Sequence, residues 1–260
     1  WEIEPDQRHA DIIVHELGLE ESKPVITPGE TESRQEEEED EEPLDAAMAS
    51  KYRAIAARAN YLAGDRTDLM YAVKEICRSM ANATARAWKK PKRLGRYLRG
   101  NSRVAVKYPR QGEENEIVGY SDSDWAGCRK TGKSTSGGAL MIGSHLIKAW
   151  SRTQNHVTMS PAEAELIALV QCTSECMGVQ SILRDWGQEV RSTLYADSSA
   201  ALAIAKRKGA GKLRHIRVSA LWIQYVQDRE GTEHIKILGT ENPADLMTKY
   251  LTREKVDNAI

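Results

Sequence analysis

The order of predicted strands and helices from residue 115 onward most constrains how this chain folds. EIVGYSD alternates apolar and polar residues, which predicts a strand that ends at Asp122. SGGALMIG and HLIKAW predict two more strands, joined by a hairpin turn at Gly143 and Ser144. The first three strands of this region should therefore follow one another as a meander.

A long helix follows the meander. Ser160 and Glu163 form a capping box and Pro161 stands at the first helical position, so the helix should begin there. Strands and helices then alternate: the strand STLYAD, the helices SSAALAIAKRKG and HIRVSALWIQYVQDRE, the strand HIKILG, and a last helix NPADLMTKYLTREKVDNA. This order predicts an α/β fold with a mixed five-stranded sheet flanked by helices.

The sequence before residue 113 has a helical pattern instead. Apolar residues recur at spacings of three and four in YRAIAARANYLA and DLMYAVKEICRSMA, which Gly64 and Asp65 separate. A third helix is predicted from Thr84, with a kink or a restart at Pro91. We therefore expect a small helical region ahead of the α/β domain.

Two blocks of opposite charge lie in this first part of the chain, although the formal net charge of all 260 residues is only -1. TESRQEEEEDEEPLD is densely acidic, which predicts a disordered linker over residues 31–46. Residues 86–110 contain ten Lys or Arg and no Asp or Glu. They form either a solvated helix face or a surface for nucleic-acid phosphates, and the second interpretation assigns the contacts to Lys89, Lys92, Arg93 and Arg96.

Cysteine spacing and hydropathy limit the classes of protein that fit. The spacing of the four cysteines fits no common zinc motif, so free thiols are expected at Cys77, Cys128, Cys172 and Cys176. No apolar run reaches the roughly 18–20 residues of a membrane span, and the N-terminus has no signal-peptide core. We therefore expect an intracellular protein that is not secreted and has no membrane partner.

Residues 122–134 contain two familiar motifs, but the residues around each motif do not fit its usual function. GCRKTGKS matches the pattern of a phosphate-binding loop, but such a loop needs a helix directly after it. The following TSGGALMIG predicts a strand instead. DSDWAG begins like a calcium-binding loop, but Lys133 stands at the twelfth position, where a bidentate Glu is needed. Neither nucleotide binding nor calcium binding is therefore expected here.

Four acidic residues lie at the ends of predicted elements. Asp122 and Asp197 end strands, while Glu165 and Asp245 lie in the first turns of helices. Each has a simpler interpretation as a cap or as a partner of a helix dipole. If the two strands are neighbours, both aspartates emerge at one sheet edge, where α/β folds place their sites. Clustered carboxylates favour a hard cation, so we expect two Mg²⁺ or Mn²⁺ ions, about 4 Å apart, suited to phosphodiester displacement.

Several segments together resemble one known family in order and spacing. YSDSDWAGCRKTGKSTSGG, LIKAWSRTQNHVTMSPAEAELIAL, LYADSSAALAIA, LRHIRVSA and NPADLMTKYL resemble the ribonuclease H domain of copia-type retrotransposon polyproteins. KPVITP, YRAIAARANYLAGDRTDLMYAV and RLGRYLRGN resemble the end of the reverse transcriptase of the same family. The resemblance implies the end of the reverse transcriptase palm at residues 1–30, a thumb or connection region at residues 47–112, and a ribonuclease H-like domain at residues 113–260.

The resemblance also implies a function and its site. The chain would hydrolyse the RNA strand of RNA–DNA hybrids, leaving 3′-hydroxyl and 5′-phosphate ends. The acids that bind the two ions and carry catalysis would be Asp122, Glu165, Asp197 and Asp245. The hybrid and other parts of the Pol polyprotein would be its partners. The expected location is the cytoplasm, within a virus-like particle, and also the nucleus.

The segment GCRKTGKSTSGG becomes, in this interpretation, the connection between the first two strands of the meander. Its cations would lie beside the hybrid and hold phosphates, with Ser134 as a turn residue and a further phosphate contact; the residues assigned are Arg129, Lys130, Lys133 and Ser134. Trp125 is expected in the core rather than in a stacking contact, and Glu163 is expected to act only as the capping-box acid.

The sequence departs from related enzymes at two places. No His stands shortly before Asp245, where many ribonuclease H domains carry one, and LYADSS lacks the second Asp of the polymerase motif Y-x-D-D. We therefore expect a nuclease that does not polymerise DNA. The alternative is a binding module, a catalytically decayed remnant that holds nucleic acid without cutting it. An integrase-like transferase would need its Glu on a helix after the fourth strand, and Glu165 precedes that strand.

Overall fold

The computed structural model describes residues 1–31, 42–209, 211, 218–229 and 232–254, with the side chains of residues 228 and 229 left aside. The centre of the predicted acidic linker, the whole LRHI segment and the end of the predicted last helix lie outside these residues. The chain divides into two compact units, Trp1–Lys107 with Tyr250–Ile260, and Tyr108–Lys249.

The first unit is mainly helical. Its helices are α1 (Arg8–Leu17), α2 (Ala46–Ala63), α3 (Met70–Cys77) and α4 (Lys89–Gly100), with a 3₁₀ turn at Thr67–Leu69 and a short antiparallel pair of strands, β1 (Glu2–Ile3) and β2 (Val106–Lys107). All four helices contribute to one hydrophobic core. Residues 1–30 and 47–107 therefore belong to one unit with a shared core, whereas residues 108–112 of the predicted connection region belong to the second unit. The naming of these segments as palm and connection regions stays a prediction.

The end of the predicted linker belongs to this first unit. The amide of Leu44 donates to the carbonyl of Ala83 at 3.0 Å, and the amide of Ala85 donates to the carbonyl of Glu42 at 3.0 Å. Asp45 caps α2 by accepting from the amide of Met48 at 2.8 Å. The prediction that the linker is disordered as far as residue 46 is therefore wrong for residues 42–46, because Glu42, Leu44 and Asp45 form these hydrogen bonds.

The third predicted helix begins later than expected. Residues 85–88 form a turn, and α4 begins at Lys89, so Pro91 falls in the first helical turn rather than inside the helix. A proline there removes an amide that has no partner within the helix in any case. The predicted kink at Pro91 is therefore absent from α4.

The second unit is built on a five-stranded sheet in the order β5-β4-β3-β6-β7. The strands are β3 (Glu116–Cys128), β4 (Lys133–Ile142), β5 (His145–Thr153), β6 (Arg191–Ala196) and β7 (Glu233–Lys236). β3, β4 and β5 pair antiparallel, whereas β6 pairs parallel with β3, and β7 parallel with β6. Helices α5 (Pro161–Asp185), α6 (Ser199–Lys206) and α7 (Trp222–Arg229) accompany the sheet. The predicted α/β fold, a ribonuclease H-like mixed five-stranded sheet with a helical region before it, is confirmed.

The long helix α5 is long and apolar enough to cross a membrane by length and composition alone. Its buried residues Leu166, Leu169 and Cys172 belong, however, to one hydrophobic core with Leu140 of β4 and Leu194 of β6. The apolar character of α5 is therefore explained by its packing on the sheet.

The first strand of the sheet is longer than predicted. β3 continues past Asp122 to Cys128, with an irregular register between Asp124 and Cys128, and Ala126 has a φ of 53°. The side chain of Asp124 accepts a hydrogen bond from the amide of Thr135 across this bulge. The GCRKTGKS segment is thus the end of one strand, a turn and the start of the next, and no helix follows it.

The predicted last helix is wrong at its start. Asn242 caps it as expected, accepting from the amide of Ala244 at 3.1 Å, but Pro243–Met247 is a 3₁₀ turn that ends at Thr248. This turn packs closely on β4, since a Cβ at Gly137 would lie 2.7 Å from the Cβ of Met247. Contact with the sheet thus replaces the regular helix that the apolar pattern indicated.

Candidate metal centre

Two of the predicted acids lie side by side at one edge of the sheet. The parallel register of β3 and β6 pairs Ser121 with Ala196. Asp122 and Asp197, the residues that follow them, therefore lie next to each other along neighbouring strands. Asp122 is buried within β3, and Asp197 follows the last residue of β6. The strand topology alone therefore brings together two carboxylates that are far apart in sequence.

The third acid, Glu165, comes from the start of α5. Ser160 accepts from the amide of Glu163 at 3.2 Å, and Glu163 accepts in turn from the amide of Met159 at 2.7 Å, so the capping box fixes where α5 begins. Glu165 then receives the amide of Ser123 on its Oε1 at 3.3 Å. Ligand oxygens of Asp122, Glu165 and Asp197 all lie within 4.8 Å of one another.

Burial and like charge act on the protonation of these carboxyls. Burial raises the pKa of Asp122 to about 7; Asp245 and Asp197 act in the same direction, while Thr248 and Lys249 act against it. Burial raises the pKa of Glu165 to about 8, aided by the charges of Asp122 and Asp197. Burial and then Asp245 raise the pKa of Asp197. The negative charge of this cluster is thus poorly compensated by the protein itself.

Asp245 lies beside this cluster but is bound differently. Its Oδ1 is 2.6 Å from the Nζ of Lys249, one helical turn further on, and it is not part of the three-carboxylate group. Its charge still reaches Asp122 and Asp197, since it raises the pKa of both. The structure therefore brings three of the four predicted acids together and leaves Asp245 at the border, in an ion pair.

Residues that the sequence reasoning missed support the acids. The hydroxyl of Thr248 donates to Oδ2 of Asp122, and Lys249 neutralises Asp245. The side-chain amide of Asn242 donates to the carbonyl of Ser121 at 2.9 Å, which ties the Pro243–Met247 turn to β3. The spacing of Asp245 and Lys249 was readable as an i,i+4 ion pair. The bond from Thr248 to Asp122 had no signal in the sequence, because it spans the fold.

The predicted nucleic-acid contacts in the first unit differ in their surroundings. Lys89 and Lys92 are exposed on α4. Arg93 lies 2.6 Å from Glu30 and donates to the hydroxyl of Thr27 at 3.0 Å, while Arg96 donates to the carbonyl of Lys23 at 2.8 Å. The two arginines therefore also hold the first unit together.

The predicted contacts in the second unit lie at the β3–β4 connection. Arg129 and Lys130 are exposed in the turn, and Lys133 begins β4. Ser134 is fully buried; its hydroxyl accepts from the amide of Ala126 at 3.0 Å and bonds with Thr158 at 3.2 Å. The prediction that Ser134 is a turn residue and a phosphate contact is therefore wrong. β4 already begins at Lys133, and the hydroxyl of Ser134 points into the protein.

Trp125 was also predicted incorrectly as a core residue. Half of its surface, 50%, is exposed, and its Nε1 donates to the carbonyl of Thr158 at 3.3 Å. Glu163, in contrast, forms the capping box that was expected of it. The four cysteines are free thiols, as predicted.

The three-carboxylate cluster fits a divalent cation. It offers only oxygen ligands, which Mg²⁺ and Mn²⁺ prefer, and the Oε2 of Glu165 is buried without a hydrogen-bond partner among the described residues. A buried acceptor that the protein leaves unsatisfied is costly unless a ligand completes it. A ribonuclease H-like sheet on which Asp122 of β3, Asp197 after β6 and Glu165 of α5 converge defines the class of protein to which this chain belongs.

Comparison with known proteins gives the family. The retrovirus-related Pol polyprotein from transposon TNT 1-94 of Nicotiana tabacum is 30% identical over 194 residues, which are 74% of this chain and 14% of that polyprotein. The Pol polyprotein from transposon RE2 of Arabidopsis thaliana is 29% identical over 80% of this chain and 14% of its own length. The chain belongs to the family of copia-type retrotransposon Pol polyproteins. It spans 14% of the length of these relatives, so their activities and partners are proposals for this chain.

No protein-family model matches the chain. Among solved structures, LC11-RNase H1, isolated from compost, aligns with a TM-score of 0.41 and 18% identity over 56% of this chain and 98% of its own. A structure of the same protein in complex with an RNA/DNA hybrid aligns with a TM-score of 0.37 and 15% identity, over 55% of this chain and 98% of its own. Because both scores lie below 0.5, the fold assignment rests on the strand order and not on these alignments.

Proposed function

We propose that this chain is a metal-dependent endonuclease that hydrolyses the RNA strand of RNA–DNA hybrids. The observation that carries the proposal is the meeting of Asp122, Glu165 and Asp197 within 4.8 Å. Both the family of Pol polyproteins and the ribonuclease H-like sheet agree with this activity. A phosphodiester nuclease needs a cation beside the scissile phosphate, and these carboxylates are the described residues best suited to hold one.

The proposed roles follow from the contacts of each residue. Asp122, Glu165 and Asp197 would hold Mg²⁺ or Mn²⁺, and two such ions would stabilise the attacking and leaving oxygens of the displacement. Thr248 orients the Asp122 carboxylate through its hydroxyl. Lys249 holds Asp245 at the border of the cluster, where this carboxylate could turn to a second ion.

The substrate would be held by cations outside the carboxylate cluster. Arg129, Lys130 and Lys133 lie at or beside the β3–β4 turn of the same unit, and side chains of this kind position a nucleic-acid backbone without reading its sequence. Lys89, Lys92, Arg93 and Arg96 would add phosphate contacts in the first unit. As part of a Pol polyprotein, the chain would act beside the other polyprotein parts, in the cytoplasm within a virus-like particle and in the nucleus.

The test is a cleavage assay with matched acid variants. The chain is incubated with an RNA–DNA hybrid labelled on the RNA strand, with Mg²⁺ or Mn²⁺, beside DNA duplex, RNA duplex and single-stranded RNA. Glu165→Gln and Asp122→Asn should lower the cleavage rate on the order of 10²–10³-fold. Glu163→Gln is the control, since it makes the same chemical change two residues away and Gln also serves in a capping box.

The outcomes separate the enzyme from a decayed binding remnant. Cleavage of the RNA strand by the wild type and by Glu163→Gln, but not by the site variants, supports the nuclease. Binding of the hybrid without cleavage at any metal concentration would favour the remnant. Equal cleavage by the wild type and Asp122→Asn would remove the carboxylate cluster from the mechanism.

A further inference from the structure

Trp125 is an exposed aromatic side chain near the carboxylate cluster that the proposed mechanism does not use. Two further exposed apolar residues, Val157 and Met159, lie on either side of Thr158 in the loop between β5 and α5. Single apolar residues on a protein surface are common, so exposure alone assigns no role. What distinguishes Trp125 is the way in which the surrounding backbone and side chains hold it.

Trp125 lies in the bulge that interrupts the pairing of β3 with β4. Three residues of β3, from Trp125 to Gly127, face one residue of β4, Ser134. Ala126 has a positive φ of 53°, and a Cβ at Gly127 would overlap the carboxylate of Asp124, so only glycine fits there. Bulges of this kind occur next to active sites, where they redirect a side chain.

Hydrogen bonds tie both the backbone and the indole of this bulge to Thr158. The amide of Ala126 donates to the hydroxyl of Ser134 at 3.0 Å, and this hydroxyl bonds with that of Thr158 at 3.2 Å. The Nε1 of Trp125 donates to the carbonyl of Thr158 at 3.3 Å. The indole is therefore already oriented, and little side-chain freedom remains to be lost when a ligand binds.

The hydrogen bond to Thr158 uses the edge of the indole and leaves its face open. Among the described residues, no aromatic ring and no cation stacks on the ring of Trp125. Because the N–H is satisfied, the remaining surface is flat and apolar. Such a surface suits a flat or apolar partner, such as a nucleobase or the C–H face of a sugar.

Trp125 and Glu165 are held between the same two elements. The amide of Ser123 in β3 donates to Oε1 of Glu165 in α5 at 3.3 Å, while Trp125 bonds to Thr158, shortly before α5 begins. Ser123 and Trp125 are two residues apart, which is about 7 Å along a strand. Successive nucleotides of a duplex strand are spaced by roughly 3.4 Å. A strand whose phosphate lies at the carboxylate cluster therefore has neighbouring nucleotides within reach of the indole.

We propose that the exposed face of Trp125 packs against a nucleotide of the strand that the carboxylate cluster binds. This inference rests on the proposed nuclease function, since it takes the cluster as the place where the phosphate is held. It adds an apolar contact to the phosphate contacts proposed above. Because every nucleotide has an apolar face, the contact holds the strand without reading its sequence. The ligand is a nucleic-acid strand, either paired in a hybrid or single-stranded.

The test measures binding of the full chain to an RNA–DNA hybrid and to single-stranded RNA of the same sequence, by fluorescence anisotropy in EDTA so that cleavage plays no part. Trp125→Ala should weaken binding about tenfold, as expected for the loss of one aromatic contact, and Trp125→Phe should retain most of the affinity. Trp186→Ala is the matched control, because Trp186 is 74% exposed at the opposite end of α5 and should not affect binding. A loss confined to one of the two ligands identifies which form of the strand contacts the indole.

Tryptophan fluorescence reports the contact itself and does not depend on the stability of Trp125→Ala. The bound ligand should quench the fluorescence of the wild type, Trp125→Phe should remove most of this quenching, and Trp186→Phe should retain it. Equal affinity of the wild type and Trp125→Ala for both ligands, or an equal loss in Trp186→Ala, would overturn the proposal and leave the nuclease untouched. No binding of either ligand by the wild type would remove both proposals. Trp125-dependent binding without cleavage in Mg²⁺ or Mn²⁺ would remove only the nuclease.

Discussion

Each unit of the chain buries a cluster of charged side chains, and the two clusters are satisfied to different degrees. In the first unit, Arg66 is 1% exposed and forms a bidentate pair with Asp68, at 2.8 Å and 2.6 Å. Tyr97 donates to the same Asp68 at 2.9 Å, and Arg66 donates to the carbonyl of Asn101 at 3.0 Å. Each buried charge in this cluster has an opposite charge and several hydrogen bonds.

The three carboxylates of the second unit have a weaker counter-charge, because Lys249 is paired with Asp245 and offsets only part of the rise in the pKa of Asp122. Asp122, Glu165 and Asp197 repel one another, and burial raises the pKa of all three. Near Arg66, burial alone would lower the pKa of the guanidinium, but the bonds and charge of Asp68 raise it. The difference teaches that buried charge by itself does not indicate a functional site. A buried charge that the protein leaves uncompensated does.

The largest expected effect is the loss of the compensated pair. Asp68→Asn should lower the free energy of unfolding by about 3–5 kcal/mol, because it leaves the Arg66 guanidinium buried without a counter-charge. Tyr97→Phe removes only one hydrogen bond to the same carboxylate and should cost about 1 kcal/mol. Denaturant unfolding of the full chain measures both. Equal losses in the two variants would contradict the ion pair as the main contribution of this cluster.

The next effect is the stabilisation of the uncompensated cluster by metal. Mn²⁺ or Mg²⁺ should raise the melting temperature of the wild type at pH 8. At a metal concentration 100 times the dissociation constant, the free energy of unfolding should rise by about 2.7 kcal/mol. Glu165→Gln should abolish this increase, whereas Glu163→Gln should retain it. A metal-dependent shift of the same size in Glu165→Gln would show that the ions bind elsewhere.

The dependence of stability on pH sharpens the same comparison. Because the pKa of Glu165 is raised from 4.5 to about 8 on folding, the folded state binds the proton more tightly than the unfolded state. This contribution to stability is complete below the ordinary pKa and is lost as the pH rises through the raised value. In EDTA, the wild type should therefore lose stability relative to Glu165→Gln between about pH 4.5 and pH 8. The difference in melting temperature between the two proteins across this range is the measurement, and a constant difference would contradict the raised pKa.

The parts of the site that follow from local pattern were predictable. The capping box at Ser160 fixed the position of Glu165 on α5. Asp122 and Asp197 were expected to meet on the condition that their strands are neighbours, and the parallel pairing of β3 with β6 meets that condition. The errors have tertiary causes. β3 continues past Asp122 because Asp124 bonds across to the amide of Thr135, which the sequence does not signal.

Side-chain direction was equally hidden. Ser134 looked like a loop hydroxyl, but the start of β4 at Lys133 turns it inward to Thr158. The apolar pattern after Asn242 was compatible with a regular helix, whereas the structure has a 3₁₀ turn at Pro243–Met247 that packs closely on Gly137 of β4. Asp245 forms an ion pair with Lys249 and is not part of the three-carboxylate group.

The smallest expected effect concerns the residue that orients Asp122. Thr248 is buried and its hydroxyl donates to Oδ2 of Asp122. Thr248→Val removes this donor while keeping the shape of the side chain, and should weaken binding of Mn²⁺ by about tenfold, the lower end of what partners of metal ligands contribute. Thr248→Ser keeps the hydroxyl and should retain most of the affinity. Calorimetric titration of both variants checks this, with Tyr97→Phe of the first unit as a control that should leave metal affinity unchanged. If Thr248→Val binds Mn²⁺ as tightly as the wild type, Asp122 is held in place by the strand alone.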